Sequence, residues 1–273
     1  MSVFICPVCG ENLEKSENSY VCSHNHSFDC ARSGYVNLLI SKQIGKAVHG
    51  DNKLMLQARR SFLEKGYYAP LRDVLCNEVL NRFCGGLVLD AGCGEGYYTS
   101  AISKSLMQSG NLTGIYGIDI SKTAVDMAAK RHDNVIYAAA SVFHIPMKDD
   151  SCDMLVTLFA PYCGNEFIRV LKPGGVMVMV IPSELHLWEL KQEIYDVPYK
   201  NEVKPYELEG FALLDSKHIR YKMKLGSQED IQALFSMTPY YYRTGVNQQE
   251  RLAALDKLDI TADFELLIYK NSK

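Results

Sequence analysis

No stretch of the 273 residues approaches the roughly 18 consecutive apolar positions that a membrane-crossing helix needs. The first residues also lack a basic flank followed by an apolar segment, so neither a secretory leader nor a membrane contact is expected, and the cytoplasm is the expected compartment. Low-complexity tracts are missing too. With 47% hydrophobic and 22% charged residues, the composition is that of a folded globular protein rather than a disordered one. An overall basic excess is absent: a formal charge of −3 gives no general affinity for polyanions, so any nucleic-acid contact must come from a local patch. At this length one large core, alone or with a small appendage, is expected.

What the chain does have is cysteine, nine in all. In a reducing compartment disulfides are disfavoured, and clustered Cys and His point to metal. Cys6-Pro-Val-Cys9 is a C-x2-C knuckle, and Gly10 behind it permits the tight turn such knuckles use. Twelve residues intervene before Cys22, and three more before His26. The set Cys6, Cys9, Cys22 and His26 fills a closed tetrahedron, the geometry of structural zinc rather than of a catalytic ion with an open position. His24 and Cys30 compete for the fourth place; His26 is preferred because three intervening residues let the loop swing its imidazole back. A head of about 35 residues holds too little core to fold unaided, so metal binding supplies its folding free energy.

From Leu87 the chain reads LVLDAGCGEGYYTSAISKSL. Here the third glycine of a dinucleotide fingerprint is missing: Tyr97 stands in its place, leaving Gly-x-Gly-x-Gly behind Asp90 and weakening an NAD assignment. Val88-Leu89-Asp90 reads as the end of a buried strand. Gly92, Gly94 and Gly96 then allow a turn into a helix starting near Tyr97, with bare backbone close to a ligand. Gly114-Ile-Tyr-Gly-Ile-Asp119 is a second short strand, and its terminal carboxylate can accept both ribose hydroxyls of a nucleoside. Ser121 caps a helix expected over residues 122–132. Further strands are expected over 152–159 and, after Lys172-Pro-Gly-Gly175, over 176–181, in a βαβαβαβ order.

These residues resemble the class I S-adenosylmethionine-dependent methyltransferases over about 88–181: DAGCGEG resembles the first motif, Asp119 the ribose acid, and LKPGG the turn before the fifth strand. The resemblance implies an α/β fold, a Rossmann-like methyltransferase sheet with a small N-terminal zinc-binding domain. Taken with HSFDCARSGYVNLL, MLQARRSFLEKGYYAPLRD, FAPY, HLWELK and MTPYYYR, the chain from Phe4 to about Phe264 is similar to the ribosomal RNA large subunit methyltransferase A family. That implies transfer of a methyl group to guanine N1 in a hairpin loop of 23S ribosomal RNA, and a homodimer. The expected organisation is a zinc-binding RNA-recognition head over 1–36, a basic linker and helical segment over 37–78, and a methyltransferase domain over 79–273.

In this frame Gly92 and Gly94 admit the methionine end of the cofactor beside Asp90, Asp119 holds the ribose, and Ser141 and Val142 border the adenine. The family resemblance adds Tyr68, Tyr98, Thr99 and His186 as cofactor neighbours, His186 being equally readable as a helix-start histidine bonded to backbone. Trp188 is read as core. Between residues 31 and 72, eight basic residues (Arg32, Lys42, Lys46, Lys53, Arg59, Arg60, Lys65, Arg72) face only Asp51 and Glu64, a local charge of +6. Interleaved Tyr35, Phe62, Tyr67 and Tyr68 suit phosphate contact with base stacking, and residues 41–52 are expected to be disordered without RNA. Guanine N1 lies on the Watson–Crick edge, so an unpaired or flipped base is required, and Phe159-Ala160-Pro161-Tyr162, beyond the fourth strand, is the expected place for it. That tetrapeptide holds no carboxylate, Glu166 is the nearest acid, and no residue is assigned as catalytic. Two other readings use the same fold: a small-molecule methyltransferase, and a noncatalytic RNA-binding protein with a degraded methyltransferase body. The first leaves the zinc head and the +6 segment unused; the second conflicts with intact Gly92, Gly94, Gly96 and Asp119.

Overall fold

The computed structural model describes residues 3–40, 53–110, 114–203 and 205–273. A small antiparallel ribbon comes first: β1 (Glu14–Lys15), β2 (Ser19–Val21) and β3 (Ser27–Asp29), followed by the short strand β4 (Val36–Asn37). Helices α1 (Lys53–Glu64) and α2 (Ala69–Arg82) lead into β5 (Leu87–Ala91), α3 (Tyr97–Gln108), β6 (Gly114–Asp119), α4 (Lys122–Ala129) and β7 (Ile136–Ala139). Then come β8 (Cys152–Leu158), α5 (Gly164–Val170), β9 (Leu171–Pro182), α6 (Trp188–Ile194), β10 (Phe211–Leu225), α7 (Gln228–Ser236), α8 (Val246–Ala253) and β11 (Leu258–Asn271).

Eight strands form one sheet in the order β10-β11-β9-β8-β5-β6-β7-β4. The six from β9 to β4 are parallel, and β11 and β10 run antiparallel at the far side. All five residues of β5 are buried, as a strand covered on both faces requires. One side of the sheet packs on Phe62, Leu71, Ile102 and Phe264, the other on Tyr116, Phe167 and Tyr269. Phe4, Leu13, Tyr20 and Leu38 of the head belong to that second cluster. The Phe4 ring meets Tyr116 edge-on at 5.3 Å, Ile5 N–H donates to the Pro146 carbonyl at 2.9 Å, and β4 extends the sheet beside β7. The head therefore shares its apolar core with the body.

The expected βαβαβαβ order gains one strand, β7, and residues 140–151, which lead from it to β8, contain no helix. Pro146 removes a backbone donor from the middle of the segment, and the Arg169 guanidinium caps its carbonyls instead, reaching Ile145 O at 2.8 Å and Met147 O at 2.7 Å. Two boundaries also move. The helix after Ser121 stops at Ala129, where Arg131 N–H turns to Ala128 O and His132 takes a φ of 51°. Strand β9 begins at Leu171 rather than 176, and the ladder to β8 jumps from Cys152↔Leu171 to Met154↔Val176, with Pro173 and Gly174 lying in the irregularity.

Candidate functional site

Strand order reverses beside β5, with β6 on one flank and β8 on the other, and ligands in such sheets bind outside the carboxyl ends at that point. Thr157 hydroxyl of β8 donates to Ala91 O at 3.0 Å, tying the two sides of the switch together. Asp90, 2% exposed, accepts from the Thr99 hydroxyl at 2.6 Å through Oδ2; its Oδ1 has no partner among the described residues. Burial pushes this carboxyl up to about 7, with the Thr99 hydroxyl opposing and the Asp119 charge reinforcing the rise. Gly92, at φ 97°, must be glycine for a second reason: a Cβ there would lie 2.3 Å from the Cβ of Ala160. Gly94 N–H donates to Asp119 Oδ2 at 3.0 Å, and Ser121 N–H donates to Oδ1 at 2.8 Å. Each carboxylate oxygen has a second acceptor position. Ser141 and Val142 are buried just past β7, where Ala140 N–H bonds Asp119 O at 3.0 Å, so both lie beside Asp119.

A second wall comes from elements that the motif does not contain. The Tyr68 hydroxyl stands 3.5 Å from His186 Nε2, and Asp263 N–H donates to His186 Nδ1 at 3.3 Å, so the backbone bond read as one option for this histidine is present. Burial lowers His186 to about 3, leaving it neutral, with its proton on Nε2. Its ring packs 4.5 Å from Phe264, and Phe159 closes on the same Phe264 at 5.6 Å. Phe159 is 47% exposed and adopts a φ of 56°, a conformation that bulky residues rarely take outside functional turns. The Tyr98 hydroxyl is buried without a partner among the described residues. Unmet buried atoms such as this hydroxyl and Asp90 Oδ1, lining a backbone cradle, fit a nucleoside cofactor with charged ends. Trp188 is half-buried.

Glu166 is committed elsewhere. Arg169 binds both its oxygens at 2.7 and 2.8 Å, and Ile145 N–H donates to it at 2.6 Å. Against the effect of burial, these donors hold the carboxyl below its usual range. Glu95 was not singled out in the sequence, yet it organises the loop. Only 1% exposed, its side chain receives Arg60 Nε at 2.7 Å and Arg131 Nη2 at 2.6 Å, while its carbonyl receives the same two guanidiniums at 3.3 and 2.9 Å. No local pattern announces this, because the two arginines lie 35 and 36 residues away.

In the head, Gly10 N–H closes the knuckle turn on Cys6 O at 2.8 Å. Asn25, at φ 61°, turns the chain so that His26 O meets Cys22 N–H at 3.1 Å. The sulfurs of Cys6, Cys9 and Cys22 and a ring nitrogen of His26 all lie within 4.8 Å of one another; His24 and Cys30 stand outside the group. Around a tetrahedral zinc, with bonds of about 2.3 Å to sulfur and 2.0 Å to nitrogen, sulfurs stand about 3.8 Å apart and sulfur–nitrogen pairs about 3.5 Å. The structure gives 3.7 Å for Cys9–Cys22, 3.5 Å for Cys6–His26 and 3.4 Å for Cys22–His26. These three separations match tetrahedral zinc, so the donor set fits that ion.

The basic stretch changes character once folded. Residues 41–52, with Lys42 and Lys46, lie outside the described residues. Arg60 serves Glu95, Lys65 pairs with Asp230 at 2.5 Å, and Arg72 pairs with Asp73 and bonds the Tyr97 hydroxyl. Phe62 and Tyr68 are core residues, with Phe62 fully buried, which corrects the expectation that they stack on bases: the apolar face of α1 needs Phe62 inside, and Tyr68, at the N-cap of α2, packs edge-on against Phe62 and Phe264. Tyr67 is spent on Phe62, stacked at 4.7 Å, and on Asp230 through its hydroxyl. Tyr35 is half-buried, and Arg32 and Lys53 are exposed.

Two family models match this chain: a zinc ribbon described as RlmA, N-terminal, over residues 4–43, and a methyltransferase domain over residues 85–234. A Bacillus subtilis (strain 168) protein named for 23S rRNA (guanine-N(1)-)-methyltransferase activity is 31% identical across 98% of this chain and 96% of its own length. A Streptomyces fradiae protein named 23S rRNA (guanine(748)-N(1))-methyltransferase is 34% identical across 68% of this chain and 65% of its own length. Among solved structures, a chain from the complex of the Haloferax volcanii Trm112 methyltransferase activator with a methyltransferase superposes with a TM-score of 0.51 at 15% identity, covering 82% of this chain and 100% of that one, a likeness of fold. Sheet, glycine loop and Cys3His group together define an S-adenosylmethionine-dependent methyltransferase with an N-terminal zinc ribbon. Within that class, the chain belongs to the 23S rRNA (guanine-N1)-methyltransferase family. No helix among the described residues is long and apolar enough to cross a membrane.

Proposed function

We propose that the protein, acting in the cytoplasm as a homodimer, transfers a methyl group from S-adenosylmethionine to N1 of one guanine in a hairpin loop of 23S ribosomal RNA. The observation that carries this reading is the contact between Gly92 and Ala160. It puts the glycine loop on the β5 side of the switch and the Phe159–Tyr162 turn on the β8 side against each other, so a nucleoside in one and a base in the other meet. The names of the relatives supply the substrate, and the resemblance supplies hairpin and dimer.

When bound, the cofactor contributes a methyl already activated by its sulfonium. The chain's own task is then alignment and exclusion of water, from which proximity alone yields much of the acceleration. Asp119 holds the ribose while its two backbone bonds to Gly94 and Ser121 keep it aimed. Ser141 and Val142 line the adenine; Asp90, Gly92, Gly94, Tyr68, Tyr98, Thr99 and His186 surround the methionine end. Phe159, lifted by its left-handed backbone, offers a ring face on which an unpaired guanine stacks, a contact of about 1–3 kcal/mol. The zinc-folded head selects the hairpin, and residues 79–273 perform the transfer.

Incubation with methyl-labelled cofactor and 23S RNA from a strain lacking this activity, followed by mass-spectrometric mapping, tests the reading. One N1-methylguanine in a hairpin loop is expected. Label on another atom, or on a small metabolite and not on RNA, would overturn it.

A further inference from the structure

Arg59 belongs to the basic stretch counted above, yet the structure turns it inward. A Cβ built on Gly94 would meet the Arg59 Nη1 at 3.9 Å, so this guanidinium lies against the bare backbone of the glycine loop. It is half-buried, and it is near enough for its charge to act on both the Tyr68 and Tyr98 hydroxyls. Three elements thus bring a cation and two phenols to one end of the loop: α1, the N-cap of α2, and α3. At the root of the same loop stands Asp90 Oδ1, buried and without a partner among the described residues, as is the Tyr98 hydroxyl. Unmet buried groups are costly, and structures keep them where a ligand completes the bonding.

We infer that Arg59 is a cofactor-positioning residue: it pairs with the α-carboxylate of S-adenosylmethionine, assisted by the Tyr98 hydroxyl, while Asp90 Oδ1 takes the α-ammonium. This deepens, and rests on, the reading of the loop as the cofactor site. The chemistry matches a zwitterion: one fixed cation and one carboxylate flank the Gly92–Gly94 backbone, and a guanidinium's planar fork suits a carboxylate in bidentate contact. A phosphodiester from RNA would instead have to reach down to the loop that faces the nucleoside. Of the eight basic residues in the stretch, Arg59 therefore leaves the set available to nucleic acid.

Calorimetric titration of the full chain with S-adenosylhomocysteine and with 5′-methylthioadenosine, which keeps the nucleoside but lacks the amino acid, separates these assignments. Arg59→Met should weaken S-adenosylhomocysteine by about 10- to 100-fold and leave 5′-methylthioadenosine within about twofold, because only the first carries the charged partner. Arg59→Lys should recover part of the loss, and RNA affinity measured without cofactor should stay unchanged. Equal loss for both nucleosides would mean a distorted loop and would overturn the assignment. Unchanged S-adenosylhomocysteine affinity with weakened RNA binding would return Arg59 to the RNA surface. Wild-type protein that binds neither nucleoside would sink the cofactor reading itself, a result distinguishable from the other two.

Discussion

The zinc head and the cofactor crevice are assembled on opposite plans. The head draws four ligands from residues 6–26, held by short-range turns at Gly10 and Asn25. The proposed crevice draws Arg59, Asp90, Asp119, Phe159, His186 and Phe264 from all along the chain, and the sheet brings them together. A local metal site can be stabilised by its ion, whereas a dispersed site is stabilised by the fold that closes its long loops. Yet the two are coupled, since Phe4, Leu13 and Tyr20 of the head share an apolar cluster with Tyr116 and Met147.

The sharpest way to separate the two regions is to remove one ligand. Cys22→Ser should release zinc, unfold the head, and abolish RNA methylation, since metal binding of about 10 kcal/mol or more is folding free energy here. S-adenosylhomocysteine affinity should stay close to wild type; a matching loss of cofactor affinity by calorimetry would show that the shared cluster fuses head and body into one unit. Glu95→Gln attacks the other region. It leaves the Arg60 and Arg131 guanidiniums facing a neutral group, and chemical denaturation should show a loss of about 3 kcal/mol. Zinc content should not change; if the metal is lost as well, the two regions unfold together.

Asp119→Ala should reduce cofactor affinity by about 1.5–3 kcal/mol, the value of hydrogen bonds to a charged group, with the loop loosened at Gly94. Unchanged affinity would remove this residue from the site. The smallest expected effect is on pH. Asp90 in the apo protein has its carboxyl raised to about 7, so it is protonated below that value and ionises above it. A raised carboxyl makes apo stability fall as pH climbs from the ordinary carboxylate range through about 7, because the folded state binds the extra proton in that window. Pairing with an ammonium favours the ionised form, so S-adenosylhomocysteine affinity should rise about tenfold between about pH 6 and 8 and then level. Thr99 and Asp119 face the same carboxylate. Asp90→Asn should flatten the profile; a flat wild-type profile would exclude the pairing.

The same contrast explains what could be read before folding. Knuckle spacing, the glycine loop and the Asp119 strand end are short-range signals, and the ligand group and the β5–α3–β6 unit stand where their residues imply. The clamp on Glu95 could not be read, since a glutamate between glycines looks solvent-facing until α1 and the turn after α4 deliver their arginines. Charge counting misassigned Arg60 and Lys65 for a related reason: linear proximity of like charges says nothing of acids such as Asp230, which arrive from 165 residues away. Strand β7 was not read because its four residues, two of them alanine, carry too little strand pattern to stand out.

A crystal structure with S-adenosylhomocysteine bound would decide the matter. Ligand density should fill the crevice between β5 and β8, with the ribose on Asp119 and the amino-acid end beside Gly92, Gly94 and Arg59. Density at another surface, with that crevice still empty at saturating ligand, would contradict the assignment of the site.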